Sequence, residues 1–202
     1  MRVAFLACGV LRLELEQVLQ QIRTEGLFDC EITAAYLQAG LHIDFDRLKE
    51  AILFALKSTA ADRIILLYGS KCHPEFHEFL NERHPTTFPQ SNCIELILGE
   101  RMQEIDRLSK TFYLTPGWLL CWREFFEQGM QWDEVDMRQS FGYYDRILLA
   151  DTGVCEIADE QILEFFERTR VPIEVEQVGL SVFKGNIVLA IERALANCED
   201  VA

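Results

Sequence analysis

Residues 63–69 read Arg63-Ile64-Ile65-Leu66-Leu67-Tyr68-Gly69, an unbroken apolar run closed by a glycine. A strand with one wet face alternates apolar and polar side chains; a run with no polar position has to be covered on both faces. Arg2 to Ala7 and Arg146 to Ala150 have the same character. Amphipathic stretches separate them. Leu11 to Ile22 carries Leu13, Leu15, Val18, Leu19 and Ile22 as a candidate buried stripe, and helices are also expected over Phe45 to Lys57, about residues 158–170, and Asn186 to Ala196. Glu31 to Leu37 and Pro172 to Val178 read as further strands. Continuous apolar strands alternating with helices predict an α/β fold: a doubly wound, mostly parallel sheet with helices on both faces.

The 202 residues fit one domain spanning 1–202. The middle, residues 72–144, breaks the rhythm with short, turn-punctuated, partly helical segments. It reads as an irregular helical insert suited to binding a cofactor or substrate. Half the chain is apolar and 26% is charged, which excludes a disordered polymer. A net charge of −14 disfavours nucleic acid and anionic lipid as partners. No apolar run approaches the roughly 20 residues that span a bilayer, and the six-residue apolar start is too short for a secretory signal. A cytoplasmic protein acting on a small molecule is the expectation, and a homo-oligomer is compatible with it.

Seven cysteines, an odd number, are read as reduced thiols. Ligands of open α/β sheets bind beyond the carboxyl ends of the strands, and three cysteines fall at such ends. Cys8 follows the first strand. Cys72 follows Tyr68-Gly69, with Pro74 placed to open a helix. Cys93 sits in Ser91-Asn92-Cys93-Ile94-Glu95, whose Asn92 and Glu95 have capping-box spacing, so Cys93 would be the first helical residue. A helix start favours thiolate, the form that binds metal or attacks an electrophile. Cys30, Cys121, Cys155 and Cys198 read as small apolar filler.

His73 and His77, four apart, could present two imidazoles on one helix face. His73 is expected beside a centre built on Cys72, as ligand or proton donor. His42, just past the second strand, and Asp151, closing the Arg146 to Ala150 strand, are further candidates for ligand or base. Thr115-Pro116-Gly117-Trp118 is a helix start with threonine as cap. GxGxxG, GxxxxGK[ST] and GxSxG signatures are absent from the sequence.

Ala7-Cys8-Gly9, Leu41-His42, Tyr68-Gly69 with a nearby cysteine, Asn92-Cys93-Ile94 leading to Leu98-Gly99, and Tyr113-Leu114-Thr115-Pro116-Gly117-Trp118 occur in that order. Together they resemble the domain-of-unknown-function family catalogued as number 1638, over roughly Val3 to Asp151. Many relatives carry a cysteine two after the glycine of the Tyr-Gly pair; here Cys72 stands three after Gly69. The resemblance implies an association with corrinoid-dependent methyl transfer, hence a corrinoid or methyltransferase protein as partner, and supplies no reaction.

The expected function is a metal-binding α/β protein with Cys8, Cys72 and Cys93 on one centre. Three thiolates suit a [4Fe–4S] iron–sulfur cluster with one open iron, a Lewis acid toward a small hydroxylated or carboxylated molecule. Zinc on the same cysteines plus His73 or His42 is the rival. As an enzyme it would be a metal-dependent lyase, hydro-lyase or methyltransferase. The other class is a non-catalytic accessory of a corrinoid methyltransferase system, offering an exposed apolar patch around Trp118, Trp122, Phe125, Phe126 and Trp132.

Overall fold

A computed structural model describes residues 1–81 and 84–196; Cys198 lies outside the described residues. The first half runs β1 (Arg2–Cys8), α1 (Arg12–Glu25), β2 (Glu31–Leu37), α2 (Phe45–Ser58) and β3 (Arg63–Leu67). Three short helices follow, α3 (Phe76–Leu80), α4 (Cys93–Leu98) and α5 (Arg101–Leu108). The second half runs β4 (Thr111–Leu114), α6 (Pro116–Arg123), a π-helical turn at Glu124–Gly129, α7 (Glu134–Phe141), β5 (Arg146–Asp151), α8 (Asp159–Thr169) and β6 (Ile173–Gln177). Helix α9 (Ser181–Ala196) returns to the first half. Among the described residues, no helix is long and apolar enough to cross a membrane.

The fold is mixed α/β with every strand pairing parallel. The strands form two three-stranded sheets, ordered β2-β1-β3 and β4-β5-β6. At the outer edge of β3 sits Thr86, whose amide donates to the Ile64 carbonyl and whose carbonyl accepts from Leu66 N. These bonds form an isolated parallel bridge between Thr86 and Ile65. The segment at 72–144 contributes β4 to the second sheet.

The continuous apolar strands are buried on both faces for the reason their sequence gives. Val3, Phe5 and Ala7 of β1 face α1 and α9, while Leu6 faces α2. The second half buries Ile147 and Leu149 of β5 with Trp122 and Phe165. Helix α9 starts five residues earlier than the sequence reading placed it, after Gly179 in the left-handed region (φ 64°). Its internal Gly185 has open space around it.

Close backbone contacts set the packing, and the first joins the two halves. A Cβ on Gly117, the second residue of α6, would collide with the Val10 carbonyl oxygen just past β1. One on Gly69 would collide with the backbone of Asn92, so only glycine lets α4 sit against the end of β3. A second tie is polar. Glu14 of α1 is fully buried, and its Oε1 accepts from Thr152 Oγ1 beyond β5 at 3.2 Å. Its Oε2 has no partner among the described residues, and burial pushes the carboxyl up to about 7.

Gly117→Ala should cost about 2 kcal/mol by overpacking against Val10, read as a lower urea midpoint. Gly185→Ala should instead gain about 0.5–1 kcal/mol, the helix-propensity difference in open space. Because the folded protein holds the Glu14 proton more tightly than the unfolded chain, stability should fall as pH rises from about 4.5 through about 7. Glu14→Gln should flatten that part of the stability profile and raise stability at pH 8; urea melts across pH measure both.

Candidate functional site

The carboxyl ends of β1 and β3 open on one cavity of about 160 Å³. Cys8, Cys72 and Cys93 all line it, together with His42, Tyr68, Lys71, Asn92 and Trp118. The register explains the first wall. Ala7 pairs with Leu67, so Cys8 and Tyr68 leave the sheet side by side. Cys72 stands in a turn, its amide donating to the Gly69 carbonyl at 3.0 Å. Cys93 is the first residue of α4, as the spacing predicted, and Asn92 Oδ1 accepts from Glu95 N at 2.9 Å. The other half of the expected capping box is shifted by one residue: the Glu95 carboxylate accepts from Ser91 N and Ser91 Oγ, both at 2.6 Å. Helix α6 of the second half supplies Trp118, held where Thr115 Oγ1 accepts from its amide.

Burial dominates the electrostatics. It raises all three thiols above the ordinary cysteine range, with Cys72 pushed up to about 11. Cys93 also feels the charges of Cys8 and Cys72, and Cys72 feels Cys8, which marks the three as one electrostatic group. Backbone amides of Val10 and Gly40 oppose the effect at Cys8, and the Trp118 indole opposes it at Cys93. The expectation that helix starts would favour thiolate is thus corrected: desolvation in an apolar cavity outweighs the few amides offered. The buried Tyr68 hydroxyl stands beside the Cys8 thiol and makes no well-formed hydrogen bond among the described residues. Among the described residues, no group of three or more His, Cys, Asp or Glu side chains is gathered so as to hold a metal ion.

His42 lines the cavity, stacked on Phe125 with centroids 5.7 Å apart and edge-on to Trp118 at 5.9 Å. Burial lowers its pKa. His73 has a different role from the one expected. Its ring lies among Phe45, Phe76 and Phe79, outside the cavity lining. Nε2 lies 3.1 Å from the Phe45 carbonyl, and Nδ1 accepts from Glu75 N at 3.0 Å. With the Nδ1 position accepting, Nε2 is the donor, and both nitrogens serve the turn before α3. The helix expected to open at Pro74 begins at Phe76, so His73 and His77 do not share one helical face. Asp151 closes a turn instead of lining the cavity, accepting from Gly153 N at 2.8 Å and from the Gln177 side chain.

The sequence reading passed over Tyr68, Lys71, Asn92 and Trp118 as site residues. Their signal was present in the Tyr-Gly and Pro-Gly-Trp punctuation, where glycine permits close approach. The aromatic stripe does not form an exposed patch: Trp118, Trp122, Phe125 and Phe126 are buried and Trp132 is half-buried in the second-half core. Cys30 and Cys121, both half-buried, pack against the first-half and second-half cores as expected of filler, and Cys155 is half-buried outside them.

The chain belongs to the family described as Protein of unknown function (DUF1638), whose model matches residues 36–187. The match includes Cys72 and Cys93, whereas Cys8 precedes it. No curated protein matches the chain.

The thiol environments predict an order of reactivity in reduced, metal-free protein. At pH 8, iodoacetamide should modify Cys30 and Cys155 before Cys8, Cys72 and Cys93: burial raises all five thiols, and the three at the cavity are enclosed most deeply. Peptide mass mapping against time reads the order directly. Faster labelling of Cys93 than of Cys30 would show that the cavity thiols are activated.

Proposed function

We propose that the protein binds a metal–thiolate centre on Cys8, Cys72 and Cys93, an iron–sulfur cluster with one coordination position left for a small molecule. The observation that carries this reading is that three cysteines from three separate segments line one apolar cavity. Three neutral thiols in such a place are costly to ionise, and a cation among them supplies the countercharge that burial withholds. Low polarity and backbone amides near the sulfurs are also what tune such centres. Three donors leave a fourth position free, where an iron acts as a Lewis acid.

Zinc on the same cysteines needs a fourth donor for a closed site. Both ring nitrogens of His73 are committed to its turn, so His42 is the imidazole the zinc reading would use. In the cluster reading, His42 and Tyr68, which line the same cavity, would hydrogen-bond the small molecule. An accessory role loses its specific support with the burial of the aromatic stripe.

Anaerobic reconstitution of the full chain with ferrous iron and sulfide tests the proposal. Iron and acid-labile sulfide should bind in near-equal amounts with a broad visible charge-transfer absorption. Cys8→Ala, Cys72→Ala and Cys93→Ala should each lose most of both, while Cys30→Ala and Cys155→Ala keep them. Equal metal and spectrum in all five variants would overturn the assignment, and zinc retained in place of iron would select the rival centre.

A further inference from the structure

The thiol cavity does not end at its own walls. His42, Asn92, Cys93 and Trp118 also line a larger, more open cleft of about 370 Å³ on the side of the second half. Its character differs from that of the cavity. Six aromatic rings surround it: Phe112 and Tyr113 from β4, Trp118 from α6, Phe125 and Phe126 from the π-helical turn, and Tyr144.

The π turn is what brings two adjacent phenylalanines to the site. Its widened backbone, closed by Met130 N donating to the Phe125 carbonyl at 3.1 Å, sets Phe125 and Phe126 edge-to-face with centroids 4.7 Å apart. Trp118 meets Phe125 edge-on at 4.6 Å and stacks on Phe126 at 6.3 Å. Single π turns inside helical segments are concentrated at functional sites because they re-aim side chains in this way.

The charge in the cleft is of one sign. Among the described residues Asp106 is the one carboxylate of its lining, at the exposed rim, where Oδ1 accepts from the Tyr113 hydroxyl at 2.6 Å. Among the described residues no lysine or arginine lines the cleft. Arg146, the cation whose charge reaches Tyr113, is engaged by Glu174 and by Thr111 Oγ1. An anionic ligand would meet Asp106 and no countercharge. A small hard cation would lose its water to walls that cannot replace it.

We propose that this cleft binds a small alkylated ammonium ion, with the aromatic rings around its methyl groups and the Asp106 carboxylate as its countercharge. Methylated ammonium spreads its charge over C–H groups, needs no hydrogen-bond acceptors, and is attracted by ring quadrupoles, which is why aromatic cages recognise it. The inference stands apart from the metal centre. The cleft borders Cys93 but is not lined by Cys8 or Cys72, so a bound ammonium would reach toward the thiol cavity without requiring it to be filled.

The test uses the reduced, metal-free full chain and two probes of nearly equal shape, choline and its uncharged carbon isostere 3,3-dimethylbutan-1-ol. Tryptophan fluorescence and calorimetry should show saturable choline binding at least about tenfold tighter than that of the isostere, the worth of a desolvated cation–π contact. Asp106→Asn should weaken choline about threefold and leave the isostere unchanged. Tyr144→Leu, which keeps apolar volume and removes a ring, should also narrow the gap between the probes. Melting curves confirm that both variants fold. Cys8→Ala and Cys72→Ala should bind choline as the wild type does, so loss of the metal reading would leave this result intact. Equal affinity for the two probes, no saturable binding of choline, or affinities unmoved in both folded cleft variants would each overturn the proposal.

Discussion

Everything around the site depends on the turn Gly9-Val10-Leu11 and on what presses against it. Val10 is buried in the core of the second half, whereas Leu11, the next residue, is buried in the core beneath β1 and β3. Helix α6 approaches this turn so closely that only a glycine at 117 clears the Val10 carbonyl. A single peptide therefore belongs to two hydrophobic cores, and cores packed to this density do not tolerate independent drift of their neighbours. The cavity at the end of β1 is the space left over by that junction. Cys8 enters it from one half and Trp118 from the other.

The junction also sets the chemistry. Pressing α4 and α6 onto the strand ends excludes water, and exclusion of water raises the thiols and Tyr68 together. The same enclosure that makes the pocket selective makes its groups reluctant to ionise. Such a site is poorly suited to a free thiolate nucleophile. It suits a bound species that brings its own positive charge, because the attraction of thiolates for a cation grows as the surroundings become less polar. Glu14 shows the same physics at the other contact between the halves: a carboxyl with one hydrogen bond and one unpartnered oxygen is driven toward its neutral form.

Much of the local architecture was legible because it is written in short-range patterns. The apolar runs at Val3–Ala7 and Ile64–Leu67 announce strands covered on both faces, and Asn92 and Thr115 act as the caps their positions suggest. Cysteines at strand ends could be placed on one edge of a parallel sheet because parallel strands all point their carboxyl ends the same way. The histidines misled for a physical reason. His73 follows a candidate cysteine in sequence, but its ring gains two hydrogen bonds and three aromatic neighbours by turning into the α2–α3 contact. The aromatic stripe was ambiguous in a similar way, since helical spacing cannot say whether a face meets solvent or a second core.

By itself the sequence determined the α/β class, the parallel order of strand and helix, the caps, and the residues that stand at strand ends, because propensity, periodicity and capping act over a few neighbouring residues. Only the tertiary structure decided that the strands divide into two sheets, that α9 crosses back to the first, and that Tyr68, Asn92 and Trp118 share a cavity with the cysteines. Those outcomes turn on which surfaces fit against each other across long stretches of chain. Such complementarity, down to the missing Cβ of Gly69 and Gly117, is a property of packed three-dimensional shapes, and no local pattern encodes it.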